Sequence, residues 1–107
     1  MGYESSIGAG WKNLVTPLIE EANRLNAKIH QIKEKFGLLT FYYSWESPPT
    51  NNIEQEEREQ FRILVEDTQM ESAGVCEECG APGQPGGIGW TKTLCSIHHI
   101  ARIGKRL

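Results

Sequence analysis

The sequence predicts an α+β fold: a small antiparallel β-hairpin packed by two helices, with a cysteine–histidine module at the C-terminal end. Three observations carry this. An apolar period of 3.6 residues opens the chain and a period-two aromatic run follows it. The stretch "CEECGAPGQPGGIGWTKTLCSIHH", Cys76 to His99, then holds all three cysteines and two of the three histidines. At 107 residues the chain is read as a single domain, 1–107, with a helix–hairpin–helix body over 10–73 and a metal-binding module over 74–107.

The first helix is predicted from Trp11, Leu14, Val15, Leu18, Ile19, Ala22 and Leu25, which recur at i, i+3, i+4, i+7 and so share one face. Pro17 is expected in its first turn, where a missing N–H costs little, with Asn13 or Thr16 as the cap. Leu39, Phe41, Tyr43 and Trp45 then alternate with Leu38, Thr40, Tyr42 and Ser44, the pattern of a half-buried strand. "KIHQIK", with Ile29 and Ile32, is its expected antiparallel partner, joined through a tight connection at Lys35-Phe36-Gly37.

"ESPPTNN" interrupts regular structure, because adjacent prolines remove donors and restrict the residues before them. A second helix is predicted beyond it, over 53–72, with Asn52 and Gln55 at capping-box spacing. Its buried stripe is read as Ile53, Phe61, Leu64, Val65 and Thr68, and Glu54, Glu56 and Glu57 crowd the end where the helix dipole favours negative charge. "GAPGQPGGIGW" reads as a loop, "WTKTL" as a short strand, and "CSIHHIARIGKRL" as a terminal helix.

Cys76, Cys79, Cys95 and His98 follow the pattern C-x2-C-x15-C-x2-H. Zn²⁺ takes four soft or borderline donors in a tetrahedron, and a two-residue spacer lets one tight knuckle aim two side chains at one ion. Gly80, directly after the second cysteine, suits the backbone angles that follow such a knuckle. His99 competes with His98 for the fourth position, since C-x3-H spacing also occurs. A knuckle, a strand and ligands in the first turn of a helix describe a treble-clef-like or ribbon-like zinc site, in which the ion supplies folding free energy that a small core lacks.

Three cysteines cannot all pair within one chain, so a disulfide framework fits poorly and a reducing compartment fits well. A catalytic zinc needs an open coordination position, which four protein ligands close. A deaminase-like centre needs H-x-E upstream of the cysteines, and the upstream histidine, His30, sits in "HQI". Thioredoxin-like chemistry is disfavoured because Glu77 and Glu78 between the thiols should raise their pKa and no βαβ pattern surrounds them. No P-loop arrangement occurs in the glycine-rich loop. No enzymatic activity and no small-molecule substrate are expected.

Hydrophobic residues make up 38% and charged residues 23%, a balance that suits a globular protein and not a disordered one. No apolar run approaches the roughly 20 residues that span a bilayer, and the N-terminus lacks the basic and apolar regions of a signal peptide. A cytoplasmic protein is expected. The net charge of -3 is unevenly placed: residues 46–78 carry two Arg against ten acids, whereas residues 79–107 carry Lys92, Arg102, Lys105 and Arg106 and no acid. Glu56, Glu57 and Glu59 on the second helix are therefore candidates for meeting a basic partner surface. Lys33, Lys35, Arg102, Lys105 and Arg106 are candidates for contact with phosphate, and nucleic acid stands as the alternative partner. The aromatic strand is read chiefly as core, with base stacking as its functional alternative.

"GWKNLVTPLIEE", "HQIKEKFGLLTFYY", "CEECGAPG" and "WTKTLCSIHH" together resemble a family of small, uncharacterised zinc-binding proteins of bacterial genomes and phages. The likeness spans about residues 10 to 99, and Leu38-Leu39-Thr40 departs from the Gly-Leu-Arg of that pattern. No activity comes with the resemblance. What it implies is a phage-like setting in a bacterial host cell. There the expected role is a compact, non-enzymatic accessory protein that engages a host protein or nucleoprotein complex, most concretely as an inhibitor of a host defence system such as a CRISPR effector.

Overall fold

The computed structural model describes residues 7–87 and 89–106, and the side chains of all of these except 104–106. A 3-10 turn, Ala9–Trp11, runs into helix α1, Lys12–Arg24. Strands β1, Lys28–Lys35, and β2, Leu38–Ser44, form an antiparallel hairpin, and helix α2, Asn52–Glu71, packs on it. A second 3-10 turn, Ser72–Gly74, leads to a two-stranded antiparallel sheet of β3, Gln84–Gly86, and β4, Lys92–Leu94, and then to helix α3, Ser96–Arg106. The described part is elongated, 57 × 22 × 21 Å. This is the expected α+β arrangement, with the cysteines and His98 gathered in its C-terminal part.

Helix α1 buries Val15, Leu18 and Ala22, with Trp11 fully enclosed just before it. It begins earlier than the sequence suggests, so Asn13 and Thr16 lie inside it and neither caps it. The preceding 3-10 turn supplies the entry instead, with the Trp11 N–H donating to the Gly8 carbonyl. Pro17 is consequently interior, one turn further in than expected. The helix stops at Asn26, whose φ of 62° is left-handed, and the Ala27 N–H closes back onto the Ala22 carbonyl at 2.8 Å. Asparagine tolerates that conformation, which makes it a workable substitute for glycine at a helix end.

The hairpin turns through Phe36 and Gly37, both left-handed at φ 53° and 84°. Mirror-image two-residue turns of this kind match the twist of the strands, but Phe36 is a costly residue to place there. Leu39 and Phe41 face the core opposite β1, where Ile32 pairs with Phe41, and Tyr43 and Trp45 are half-buried. Phe61 of α2 stands edge-on to Phe41, Tyr43 and Trp45, at ring separations of 4.9–6.2 Å. The alternating aromatics are therefore core, and Tyr42 is the member of that run left outside, beneath the Lys33 ammonium.

The cap of α2 lies one residue before the expected one. The Asn51 side chain accepts from the Glu54 N–H at 2.8 Å, and Glu54 reaches back to the N–H and hydroxyl of Thr50. The side-chain cap is Asn51, with Glu54 bonding one residue further back, and not the expected Asn52/Gln55 pair. The buried stripe is also narrower than expected: Phe61, Val65 and Thr68 are buried, whereas Ile53, in the first turn, is 74% exposed and Leu64 is 38% exposed. The sequence reads β3 as loop, because Pro85 and its glycine neighbours have little strand preference, and the structure holds it by its register with β4.

Candidate metal centre

The centre is assembled from three pieces of chain. Val75 pairs with Pro82 across a short bridge, so the segment 76–81 is forced into a tight loop. Within it the Cys76 N–H donates to the Ala81 carbonyl and the Gly80 N–H to the Cys76 carbonyl. Gly80 takes a φ of 82°, as the residue after a knuckle should. β4 then delivers Cys95 at its end, and the first turn of α3 presents His98.

The donor atoms of Cys76, Cys79, Cys95 and His98 all lie within 4.8 Å of one another. Nδ1 of His98 is 3.4 Å from the Cys76 sulfur and 3.2 Å from the Cys95 sulfur, and the Cys79 and Cys95 sulfurs are 3.9 Å apart. Ligand bonds of about 2.0–2.3 Å at tetrahedral angles require donor separations of about 3.5–3.8 Å. The four side chains thus lie close enough to hold a metal ion. His99 points elsewhere: its Nε2 donates to the Gln84 carbonyl at 2.9 Å, which ties α3 to β3. Of the two rival histidines, His98 is the one brought to the cysteines.

The three thiols do not shift together: Cys76 and Cys95 are lowered, whereas Cys79 is raised. Burial works against the Cys76 thiolate, but the N–H groups of Cys95, Cys79 and Glu78 outweigh it and lower its pKa to about 6. The His98 N–H likewise lowers the Cys95 thiol. His98 itself is held above its usual value, first by the Cys95 sulfur and then by that of Cys76. The expectation that the intervening glutamates would raise the thiol pKa fails for Cys76 because Glu77 turns away. Its carboxylate is buried, accepts from the Thr93 N–H at 2.8 Å and lies 3.6 Å from the Lys92 ammonium. Burial raises the Glu77 pKa. Its backbone pairs with β4 on one side, through the Thr93 carbonyl, and with the N-terminal segment on the other, through the Gly10 N–H at 2.8 Å.

That N-terminal contact was not anticipated. Gly8 and Gly10 lie so close to the knuckle that a Cβ on Gly10 would sit 2.1 Å from the Cys76 carbonyl oxygen, and one on Gly8 2.2 Å from that of Glu77. The indole N–H of Trp11 donates to the Val75 carbonyl at 2.7 Å, across 64 positions. The signal in the sequence was two small residues spaced around Ala9 and followed by tryptophan. Gly10→Ala is expected to lower the stability of the metal-loaded protein by the roughly 1–3 kcal/mol of an overpacked site, or more, because backbone atoms have nowhere to retreat. The urea midpoint reads this directly, and an unchanged midpoint would show that the segment does not press on the knuckle.

The candidate partner residues are dispersed. Glu57 pairs with Arg24 at 3.1 Å, Glu59 pairs with Arg62, and Glu56 is exposed. Lys33 covers Tyr42 and Lys35 is exposed. Arg102 turns inward and donates to the carbonyls of Gly86 and Trp90. The side chains of Lys105 and Arg106 lie outside the described residues. No helix among the described residues is long and apolar enough to cross a membrane. No family model, curated protein or solved structure matches the chain.

Proposed function

We propose that this chain is a zinc-stabilised, non-enzymatic binding protein that engages a macromolecular partner. The observation that carries the reading is that four protein donors lie within 4.8 Å of one another, and four protein ligands on one ion would complete a tetrahedral site. Three thiolates and an imidazole are a donor set suited to Zn²⁺. All three cysteines are free of disulfides, which suits a reducing compartment such as a bacterial cytoplasm. Inhibition of a host defence complex is the most concrete version of this role, and it rests on the family resemblance alone. Nucleic-acid binding is the weaker reading, because Arg102 is engaged by backbone carbonyls and the acidic α2 carries much of the surface charge.

Cobalt(II) in place of zinc tests the closed centre. The substituted protein is expected to show the intense visible bands of a four-coordinate thiolate-rich site, unchanged by added azide or imidazole. Bands that move with azide would put an exchangeable ligand on the metal and return a catalytic centre to consideration.

A further inference from the structure

Helix α3 is inside out. His98 faces the cysteines, His99 bonds the Gln84 carbonyl and Arg102 reaches the carbonyls of Gly86 and Trp90, so the polar side of the helix is the one packed on the protein. Ile97, Ile100 and Ile103, spaced every third residue, are left 73%, 70% and 53% exposed. An amphipathic helix ordinarily buries such a stripe. A second unpartnered apolar surface lies where β2 meets the C-terminal half of α2. There Leu38, Leu39, Phe36 and Met70 line a groove of about 460 Å³ with Lys35, Thr40, Glu66 and Gln69 at its margins. Met70 is 75% exposed and Leu38 43%.

We infer that these two surfaces are partners across a twofold dimer, with the α3 stripe of one copy seated in the β2–α2 groove of a second copy and the contact repeated in reverse. Charge selects this pairing over stripe against stripe. Helix α3 carries Arg102, Lys105 and Arg106 and no acid, so two α3 helices brought together would repel. The groove instead belongs to the acidic segment: Glu66 at its edge is paired with Arg62 at 2.6 Å, and Asp67 and Glu71 on the same turns of α2 outweigh Lys35 on the opposite margin. Position permits reciprocity as well. Phe36 of the groove stacks on Trp90 at 4.9 Å, and the Trp90 carbonyl accepts from Arg102 of α3, so groove and helix are neighbours at one end of the molecule. A twofold axis near that junction presents each copy's helix to the other's groove and closes the assembly without free ends. One eleven-residue helix covers too little surface for a stable complex, and two copies of the contact double it.

The test is sedimentation equilibrium on the full chain, metal-loaded, for the wild type, Ile100→Glu, Met70→Glu and an equimolar mixture of the two variants. Both sites are exposed, so the fold should survive, and circular dichroism with metal content checks this. The wild type is expected to be dimeric and each variant to associate roughly 30-fold more weakly, the loss typical of a central anchor. The mixture should recover part of the association, since the intact stripe of Met70→Glu meets the intact groove of Ile100→Glu. A wild type that stays monomeric at millimolar concentration overturns the inference. So does a dimer indifferent to both substitutions, or a monomeric wild type that floats with vesicles of anionic phospholipid through Ile100.

Discussion

Stripping the metal from the wild-type protein with a chelator is expected to erase amide-exchange protection from Cys76 to Ile103 while leaving protection in α1, the hairpin and α2. The reason lies in where the apolar core is. Trp11, Val15, Leu18, Ala22, Ile32, Leu39, Phe41, Phe61 and Val65 form one buried cluster, all within the first 65 residues. Beyond α2, the buried apolar residues among the described ones are Cys76 and Leu94. Two such side chains cannot offset the ordering of about thirty residues at roughly 1–2 kcal/mol each. Structural zinc is the largest single contribution available to add to the backbone bonds that link the knuckle to β4. The body should lose about 1–3 kcal/mol as well, because Trp11 loses its acceptor at Val75. Zinc re-addition should restore the pattern, and Cys95→Ser should reproduce the chelated state. Protection that survives chelation would mean that the module folds on contacts alone, and the staple reading would fall.

Trp11→Ala is the substitution expected to cost most outside the centre. The side chain is wholly buried, heads the apolar cluster and donates its indole N–H to the Val75 carbonyl. Emptying such a site costs about 3–5 kcal/mol, a large share of the roughly 5–15 kcal/mol available to a protein of this kind. Trp11→Phe separates the two contributions. It keeps most of the ring contact but orphans the Val75 carbonyl, for an expected loss of about 1–3 kcal/mol. Urea unfolding followed by circular dichroism measures both. Equal losses for Ala and Phe would mean that the hydrogen bond, and not the packing, dominates. Small losses for both would mean that the N-terminal turn is not part of the cooperative unit.

What could be read from the sequence, and what could not, divides along a physical line. The alternation of Leu39, Phe41 and Tyr43 and the spacing of the four donors are local patterns, and local patterns survive folding unchanged. The cap at Asn51 lies one residue from the expected one because Asn51 and Asn52 are chemically identical candidates, and Ile53 is exposed in the first turn of the helix. β3 was invisible because its identity resides in β4. Trp11 reads from the sequence as a stripe residue, but its bond to Val75, the approach of Gly10 to the knuckle and the buried contacts of Glu77 have no local signature, because they depend on partners 64 or more positions away or on a knuckle not yet built. The outward face of α3 inverts the amphipathic rule, since the demands of His98, His99 and Arg102 outrank those of three isoleucines.

The bond between Trp11 and Val75 also sets an order of events in time. During synthesis the N-terminal turn leaves the ribosome first, yet its hydrogen-bond acceptor is made 64 residues later. At about 5–20 residues per second that interval lasts several seconds. Throughout it, the apolar stripe of α1, Trp11 included, has the hairpin and α2 to pack on as they emerge, but the indole N–H of Trp11 lacks its acceptor. Closing a loop this long carries an entropic cost that is recovered only when the knuckle has formed. The first segment made is among the last to lock, so a cell short of the metal would accumulate chains whose beginning, and not only whose end, is still open.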